Sequence, residues 1–330
     1  MSEGRSADVS RTGSRQVVEG LVRSPVVVLV DAEDHPAWIQ ASLGAHRPGV
    51  GRVVVHPTAG ASHPAGLAQD VLGTLGKRLP QRRPEVPRHK AGWADMVRPA
   101  WRAAACWINA HRIGHLIVVR AQTLTPARWA QLADLQRRTG VFLSLVWHGE
   151  AGQPLDKHAR ALRASYAVVD EQEVAWRRLG HSGQRSRAGI GARGENATSN
   201  AAVSRVQRVG HPLHAGLLAA QLACQVDDPC RLAGVRLADL APDGTGLALP
   251  HAGAGRWSYA RTWQPVPAWA WPLLLAARAW QHQAGHRHDV WRLFQHDNFH
   301  HHNQLIDVGA ELGIPAAIEH LDGDPAWPKG

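Results

Sequence analysis

Short apolar runs alternate with helix-length amphipathic segments along the first half of the chain. The runs at residues 26–30, 52–56, 113–119 and 141–147 are rich in valine, isoleucine and leucine. Runs of this length, separated by helical segments, are typical of parallel strands that are buried on both faces of a sheet. The pattern therefore predicts an α/β domain, a parallel sheet with flanking helices, which we place at residues 17–180.

The segment that follows the first apolar run is acidic and lacks glycine. A loop that cradles nucleotide phosphates needs glycines, so that backbone N–H groups can approach the phosphates, together with a lysine and a Mg²⁺-binding hydroxyl. At the corresponding positions the chain has Asp31, Asp34 and Pro36 instead of glycines, Ala37 instead of the lysine and Trp38 instead of the hydroxyl. We therefore expect no bound nucleotide and no other cofactor.

The order of strands and helices over residues 21–150 is similar to that of the AAA+ ATPases that assist transposition. In that family a strand ends in Asp-Glu-Ala-Gln, and a later strand carries a polar sensor residue. Here Ala121 and Gln122 keep the end of the motif, whereas Val119 and Arg120 replace both acids. The resemblance implies a P-loop-like sheet that has lost ATP hydrolysis, because no residue remains to hold the metal and the phosphates. An ordinary polar β–α connection with no nucleotide history is the alternative.

The second half of the chain has a different pattern. Residues 1–16 lack apolar periodicity and predict a disordered tail, and the Gly/Ser/Arg-rich stretch at 181–204 predicts a flexible basic linker. Beyond the linker, helical segments at 212–226 and 266–280 flank turn signals and a short alternating run. Residues 205–330 are therefore expected to form a mainly helical second domain with a small β-hairpin.

Residues 205–320 of this second domain resemble the catalytic domain of the tyrosine recombinases. The resemblance rests on the order of Arg231, Val235, Asp239, Leu240, Asp243, Gly244, Val266 and Pro267. The groups that would perform strand transfer are missing, since no lysine occurs between Lys157 and Lys329 and the only tyrosines are Tyr166 and Tyr259. The resemblance thus implies a domain without recombinase chemistry. An unrelated helical DNA-binding or interaction domain fits the same features.

The chain has a large excess of positive charge, with a formal net charge of +10 over 330 residues and a pI near 10.6. This balance favours an anionic partner, nucleic acid first. The preference for arginine over lysine, with 14 tryptophans, is also typical of a GC-rich bacterial coding sequence. No apolar stretch reaches the length of a membrane span and the N-terminus has no signal-peptide core, so we expect a cytoplasmic protein.

Two regions are candidates for contact with DNA. The first is a proline-rich loop with the cationic residues Arg78, Arg82, Arg83, Arg88 and Lys90. In the second, tryptophans are interleaved with arginines, and the candidates are Arg256, Arg261 and Trp263. Arginines can contact phosphates, and aromatic rings can stack on bases. A solvated loop and core-packed tryptophans are the alternative interpretations.

Histidines near the C-terminus are the densest group of potential metal ligands. Neighbouring helical turns could supply imidazole ligands from His286, His288, His296 and His300. Their spacing matches no zinc signature, and surface histidines that bind metal only adventitiously are the alternative. His56, His63 and His148 follow predicted strands, but no serine and aspartate are spaced to form a triad with them.

These observations predict a non-catalytic, DNA-associated accessory or regulatory protein, and the two resemblances point to a mobile element. The phosphate loop, the acidic pair and the recombinase nucleophile are all missing, which favours a protein that is not an enzyme. The first alternative is a metal-dependent nuclease or hydrolase that uses the C-terminal histidines. The second is a scaffold whose α/β domain binds another protein.

Overall fold

The computed structural model contains two compact units. The first comprises the described residues of 1–75 and 111–189, and the second comprises those of 76–110 and 190–330. The residues described are 24–59, 63, 65–79, 91–162, 166–170, 175, 178–179, 197–226, 230–251, 260–285 and 291–295, with the backbone alone at 91–96, 197–200 and 230.

Strands and helices are numbered in chain order. The strands are β1 (Val26–Asp31), β2 (Arg52–Val55), β3 (His115–Val118), β4 (Phe142–His148), β5 (Ala167–Val169), β6 (Gly246–Pro250) and β7 (Arg261–Pro265). The helices are α1 (Pro36–Gly44), α2 (Gly66–Thr74), α3 (Ala91–Ala110), α4 (Pro126–Thr139), α5 (Gln153–Arg160), α6 (Ala197–Gln207), α7 (Pro212–Ala223), α8 (Cys230–Ala233) and α9 (Trp271–Gln283). Short 3₁₀ segments lie at Pro48–Val50, Ala121–Thr123 and Leu237–Asp239.

The first unit is built on a parallel five-stranded sheet with the strand order β2-β3-β4-β1-β5. Strands β1, β2 and β3 are buried along their whole length, as expected for strands that are covered on both faces. The order places β1, the first strand in sequence, between β4 and β5. The prediction of an α/β fold with a parallel sheet is confirmed.

Helices cover both faces of this sheet. On one face, Val27 and Leu29 of β1 share a buried cluster with Trp38 of α1 and Val146 of β4. Trp147 points to the other face, because successive side chains of a strand alternate between faces. There its ring contacts Trp129 of α4, with the ring centroids 6.0 Å apart. This layering is that of a doubly wound α/β domain.

Local sequence signals set the ends of α4. The hydroxyl of Thr125 accepts a hydrogen bond from the backbone N–H of Arg128 at 3.4 Å, and Pro126 occupies the first turn. Both residues suit a helix start. Thr125 accepts a bond from a backbone N–H that has no partner within the helix, and Pro126 has no N–H that would need a partner. Gly140 ends the helix with φ of 69°, a conformation that glycine adopts without strain.

The second unit is mainly helical around a close helix pair. Helix α7 packs against α9, and α3 packs against both. A Cβ on Gly216 of α7 would lie 2.5 Å from the Cβ of Ala277 in α9, so this approach requires glycine. Strands β6 and β7 pair in antiparallel orientation, which confirms the predicted small hairpin.

Helix α3 lies in a different unit from the one that its chain position suggested. The α/β domain predicted at 17–180 includes this segment, whereas α3 packs with the second unit. Its Trp107 donates a hydrogen bond from Nε1 to the carbonyl of Gly210 at 2.6 Å. Because that partner is distant in the chain, a pattern of local periodicity could not reveal it.

The last helix also differs from its prediction. It begins at Trp271 rather than near Val266, because the Val266 N–H bonds to the carbonyl of Thr245 and continues the strand pairing.

The predicted tail and most of the predicted linker lie outside the described residues, and α6 occupies the end of that linker. Among the described helices, none combines the length and the apolar character needed to cross a bilayer.

Candidate functional site

The carboxyl ends of β1 and β4 bring an aspartate and a histidine together. Parallel pairing sets Asp31, the last residue of β1, beside His148, the last residue of β4. Both side chains are buried, and His148 Nδ1 lies 2.9 Å from Asp31 Oδ2. After β1 the chain continues to β2, towards one side of the sheet, and after β4 it continues to β5, towards the other side. Open α/β sheets bind ligands at such points.

The turn after β1 adds a second carboxylate. Asp34 has φ of 50°, in the left-handed region that few residues other than glycine adopt. Its Oδ1 lies 3.1 Å from His148 Nδ1, while 65% of the Asp34 side chain remains exposed. One potential ligand atom from each of Asp31, Asp34 and His148 lies within 4.8 Å of the others. We call these three residues the carboxyl-edge cluster.

The two ring nitrogens of His148 have different surroundings. Nδ1 faces two carboxylate oxygens, and ionised carboxylates only accept hydrogen bonds, so we assign the ring hydrogen to Nδ1. Nε2 is buried and has no hydrogen-bond partner among the described residues. In the neutral ring, Nε2 therefore offers a lone pair. A buried polar atom in this situation marks a place where a water or a ligand is expected.

Backbone groups hold the carboxyl-edge cluster in place. The His35 N–H donates to Asp31 Oδ1 at 3.1 Å, and the Gly149 N–H donates to the Asp31 carbonyl at 2.8 Å. The His148 N–H donates to Gln122 Oε1 at 3.2 Å. Gln122 is the glutamine of the Ala-Gln pair noted in the sequence, so the segment that follows β3 reaches the same edge.

The turn between β1 and α1 is closed by its own hydrogen bonds. The carboxylate of Asp31 accepts from His35, and the His35 ring Nδ1 accepts from the Ala37 N–H at 3.1 Å. The His35 carbonyl accepts from the Trp38 N–H at 3.0 Å, and Pro36 has no N–H. Phosphate binding at a helix start depends on free N–H groups there. These donors are instead used to cap α1, with Trp38 anchored in the core.

The sequence does not indicate that the members of this cluster meet. Asp31 and Asp34 belong to the predicted loop, and His148 follows a predicted strand, with no serine and aspartate spaced to form a triad with it. The available signal was a polar residue directly after each of two apolar runs. Nothing in the sequence indicated that those two strands are neighbours.

Three of the residues proposed for DNA contact lie in the described part of the chain. Arg78 is exposed. Arg261 is largely buried and pairs with Asp239, with 3.2 Å between Nε and Oδ2. Trp263 is 60% exposed. The other candidates for DNA or metal contact lie outside the described residues: Arg82, Arg83, Arg88, Lys90, Arg256, His286, His288, His296 and His300.

The backbone of Arg78 brings further arginines beside it. The Arg78 N–H donates to the Arg208 carbonyl at 2.8 Å, and the Gly210 N–H donates to the Arg78 carbonyl at 2.7 Å. Arg205 lies one turn before Arg208, and Arg78, Arg205 and Arg208 are all exposed. No acidic residue occurs between 197 and 210. We call these three residues the arginine cluster; only Arg78 is among the DNA-contact residues predicted from the sequence.

A histidine and a serine also meet at the amino end of the sheet. His115 Nε2 lies 2.8 Å from Ser144 Oγ, and both residues are fully buried. Arg178 donates to Ser144 Oγ and, at 2.8 Å, to the Ser24 carbonyl. Burial, with smaller contributions from the charges of Arg178 and Arg52, holds the pKa of His115 well below its ordinary value. We interpret this group as a polar network of the core, because solvent does not reach the hydroxyl.

Comparison with known proteins returned no match. No protein-family model, no curated protein and no solved structure is similar to this chain. The resemblances to AAA+ ATPases and to tyrosine recombinases therefore stay predictions from the sequence.

Proposed function

We propose that this protein is a non-catalytic, DNA-associated accessory or regulatory factor of a mobile element, working in the cytoplasm. In this proposal the second unit contacts DNA, and the α/β unit serves as a support or docking domain without nucleotide turnover. Two features of the described residues support the two parts of the proposal.

The closed turn between β1 and α1 supports a role without nucleotide. The first backbone donors of α1 are engaged by Asp31 and by His35. The side chains nearest to this helix start include the carboxylates of Asp31 and Asp34, which would repel a phosphate. A triphosphate would therefore meet like charge and occupied donors, where binding requires the reverse.

The arginine cluster is the observation that carries the DNA-binding part. Backbone hydrogen bonds fix Arg78 beside Arg208, so exposed positive charge from two distant chain segments is concentrated at one place. Residues 80–90, which follow this segment in the sequence, contain four further cations: Arg82, Arg83, Arg88 and Lys90. Phosphates bound by such residues release counterions, and this release drives association.

Fluorescence anisotropy with a labelled DNA duplex, titrated between about 50 and about 300 mM salt, tests this proposal. We expect affinity that tolerates changes of sequence and a clearly negative slope of log affinity against log salt. In the double variant R205Q/R208Q, the magnitude of the slope should fall by about two, since each phosphate contact contributes about 0.9.

The matched control is R137Q/R138Q, which removes the same charge from an exposed site in the other unit. Both of those arginines already pair with Asp134, so this variant should keep the wild-type slope. An equal loss in both variants would indicate a response to net charge alone. Absence of binding at about 50 mM salt would contradict the proposal and favour the scaffold alternative.

A further inference from the structure

The carboxyl-edge cluster has the composition and spacing of a metal site. We propose that Asp31, Asp34 and His148 bind one first-row divalent cation, with Zn²⁺ as the reference ion. Two carboxylate oxygens and an imidazole nitrogen are a ligand set that such ions accept. This inference is independent of the DNA-binding proposal and involves different residues from the C-terminal histidines.

The distances within the cluster suit a shared cation. His148 Nδ1 lies 2.9 Å from Asp31 Oδ2 and 3.1 Å from Asp34 Oδ1. Ligands held about 2.0–2.2 Å from a tetrahedral ion lie about 3.4 Å from one another. Replacing the shared hydrogen by a metal therefore lengthens these two separations by only a few tenths of an ångström, and the third pair of ligand atoms lies within 4.8 Å.

Charge also favours a cation at this point. A single N–H of His148 faces two carboxylates and can form a good hydrogen bond with only one of them at a time. A divalent ion between Nδ1 and the two carboxylate oxygens would contact all three ligand atoms and neutralise both carboxylates. The attraction is strengthened because the side chains of Asp31 and His148 are only 3% and 2% exposed.

Only one ring nitrogen of His148 faces the carboxylates. Nε2 is buried, has no hydrogen-bond partner among the described residues and points away from the carboxylates. The proposed site therefore depends on Nδ1 and the two carboxylates.

Neighbouring groups support the ligands in the way metal sites require. The His35 N–H fixes the Asp31 carboxylate through Oδ1 and leaves Oδ2 for the ion. Gln122 holds the backbone of His148. Such supporting contacts orient metal ligands and raise affinity. The exposed side of Asp34 would give the ion access from solvent and leave a coordination position for water.

Titration of the full chain with Co²⁺, followed by visible absorption, tests this site. Because histidines elsewhere could bind metal adventitiously, the titration uses a background in which His286, His288, His296 and His300 are glutamine. We expect one Co²⁺ per chain with d–d bands typical of low coordination number. D34N should weaken binding by about tenfold or more, and H148Q should abolish it.

The matched control is E33Q, which removes an exposed acid from the same turn outside the cluster. It should change affinity by less than about twofold, since only long-range charge is lost. Circular dichroism of D34N, whose side chain is mostly exposed, shows whether the fold is kept. Binding that is equal in E33Q and D34N, or no binding beyond the adventitious level, would overturn the assignment.

Discussion

At the scale of single residues, the second unit contains a lysine in an unusual setting. Lys77 is only 4% exposed, its Nζ donates to the Gln207 carbonyl at 2.6 Å, and it lies 3.7 Å from the Trp107 ring centroid. The carbonyl and the ring both favour the charged amine. Burial opposes them and lowers the pKa of Lys77 from its ordinary value to about 7.

The lowered pKa of Lys77 predicts a dependence of stability on pH. Between pH 7 and pH 10.5 the unfolded chain holds a proton on Lys77 that the folded chain does not. Unfolding therefore takes up a proton, and the stability of the wild type should rise with pH by up to about 1.4 kcal/mol per pH unit in this window. K77M lacks this contribution, so the wild type should gain stability relative to K77M as the pH rises.

Urea unfolding of both proteins at several pH values across this window measures the effect. The difference in the free energy of unfolding between the two proteins removes the contributions of all other titrating groups. A constant difference would mean that Lys77 keeps its charge in the folded state, stabilised by Trp107 and the Gln207 carbonyl.

At the scale of elements, the connection from β1 to α1 shows how a strand–helix turn can be closed. The position predicted for a degenerate phosphate loop contains a compact cap, in which His35 both donates to Asp31 and accepts from Ala37. The sequence indicated the missing glycines and lysine. It did not indicate that the carboxylates of Asp31 and Asp34 would contact a histidine of β4.

This closed turn predicts that nucleotide does not bind. Calorimetric titration of ATP·Mg²⁺ into the full chain should give no heat above dilution up to millimolar ligand, because occupied donors and two carboxylates replace the cradle. A titration of Mg²⁺ alone is the necessary blank, since the carboxyl-edge cluster is itself a candidate cation site. Saturable binding in the micromolar range would show that the turn opens and would refute this interpretation.

At the scale of the whole molecule, the two units are not consecutive in the chain. Residues 76–110 belong to the second unit, although they lie between segments of the first. Helix α3 contributes Trp101, Trp107 and Ile108 to the buried interior there. A cut at the apparent linker therefore separates this helix from its partners α7 and α9.

This arrangement predicts how fragments behave. Residues 190–330 expressed alone should lack a cooperative thermal transition, because the apolar faces of α7 and α9 that contact α3 are left uncovered. A fusion of 76–110 to 190–330 through a flexible linker should recover the transition. Thermal unfolding followed by circular dichroism compares the two fragments. Equal cooperativity in both would show that α3 is dispensable for this unit.

The sequence by itself determined the local structure of this protein. The apolar runs predicted β1 to β4, and the ends of α4 followed from Thr125, Pro126 and Gly140. The lack of a phosphate cradle was also readable, because it depends on which residue types are present. These features could be predicted since they depend on residue types and on their spacing over a few positions along the chain.

Only the tertiary structure decided which distant residues meet. Strand periodicity records which side chains are buried but not which strands are neighbours, so the pairing of β1 with β4 and the contact of Asp31 with His148 were not predictable. Likewise, helical periodicity showed that α3 has an apolar face but not that this face packs with α7 and α9. The carboxyl-edge cluster and the arginine cluster both arise from such non-local contacts, because packing of the whole chain selects the partners of each element.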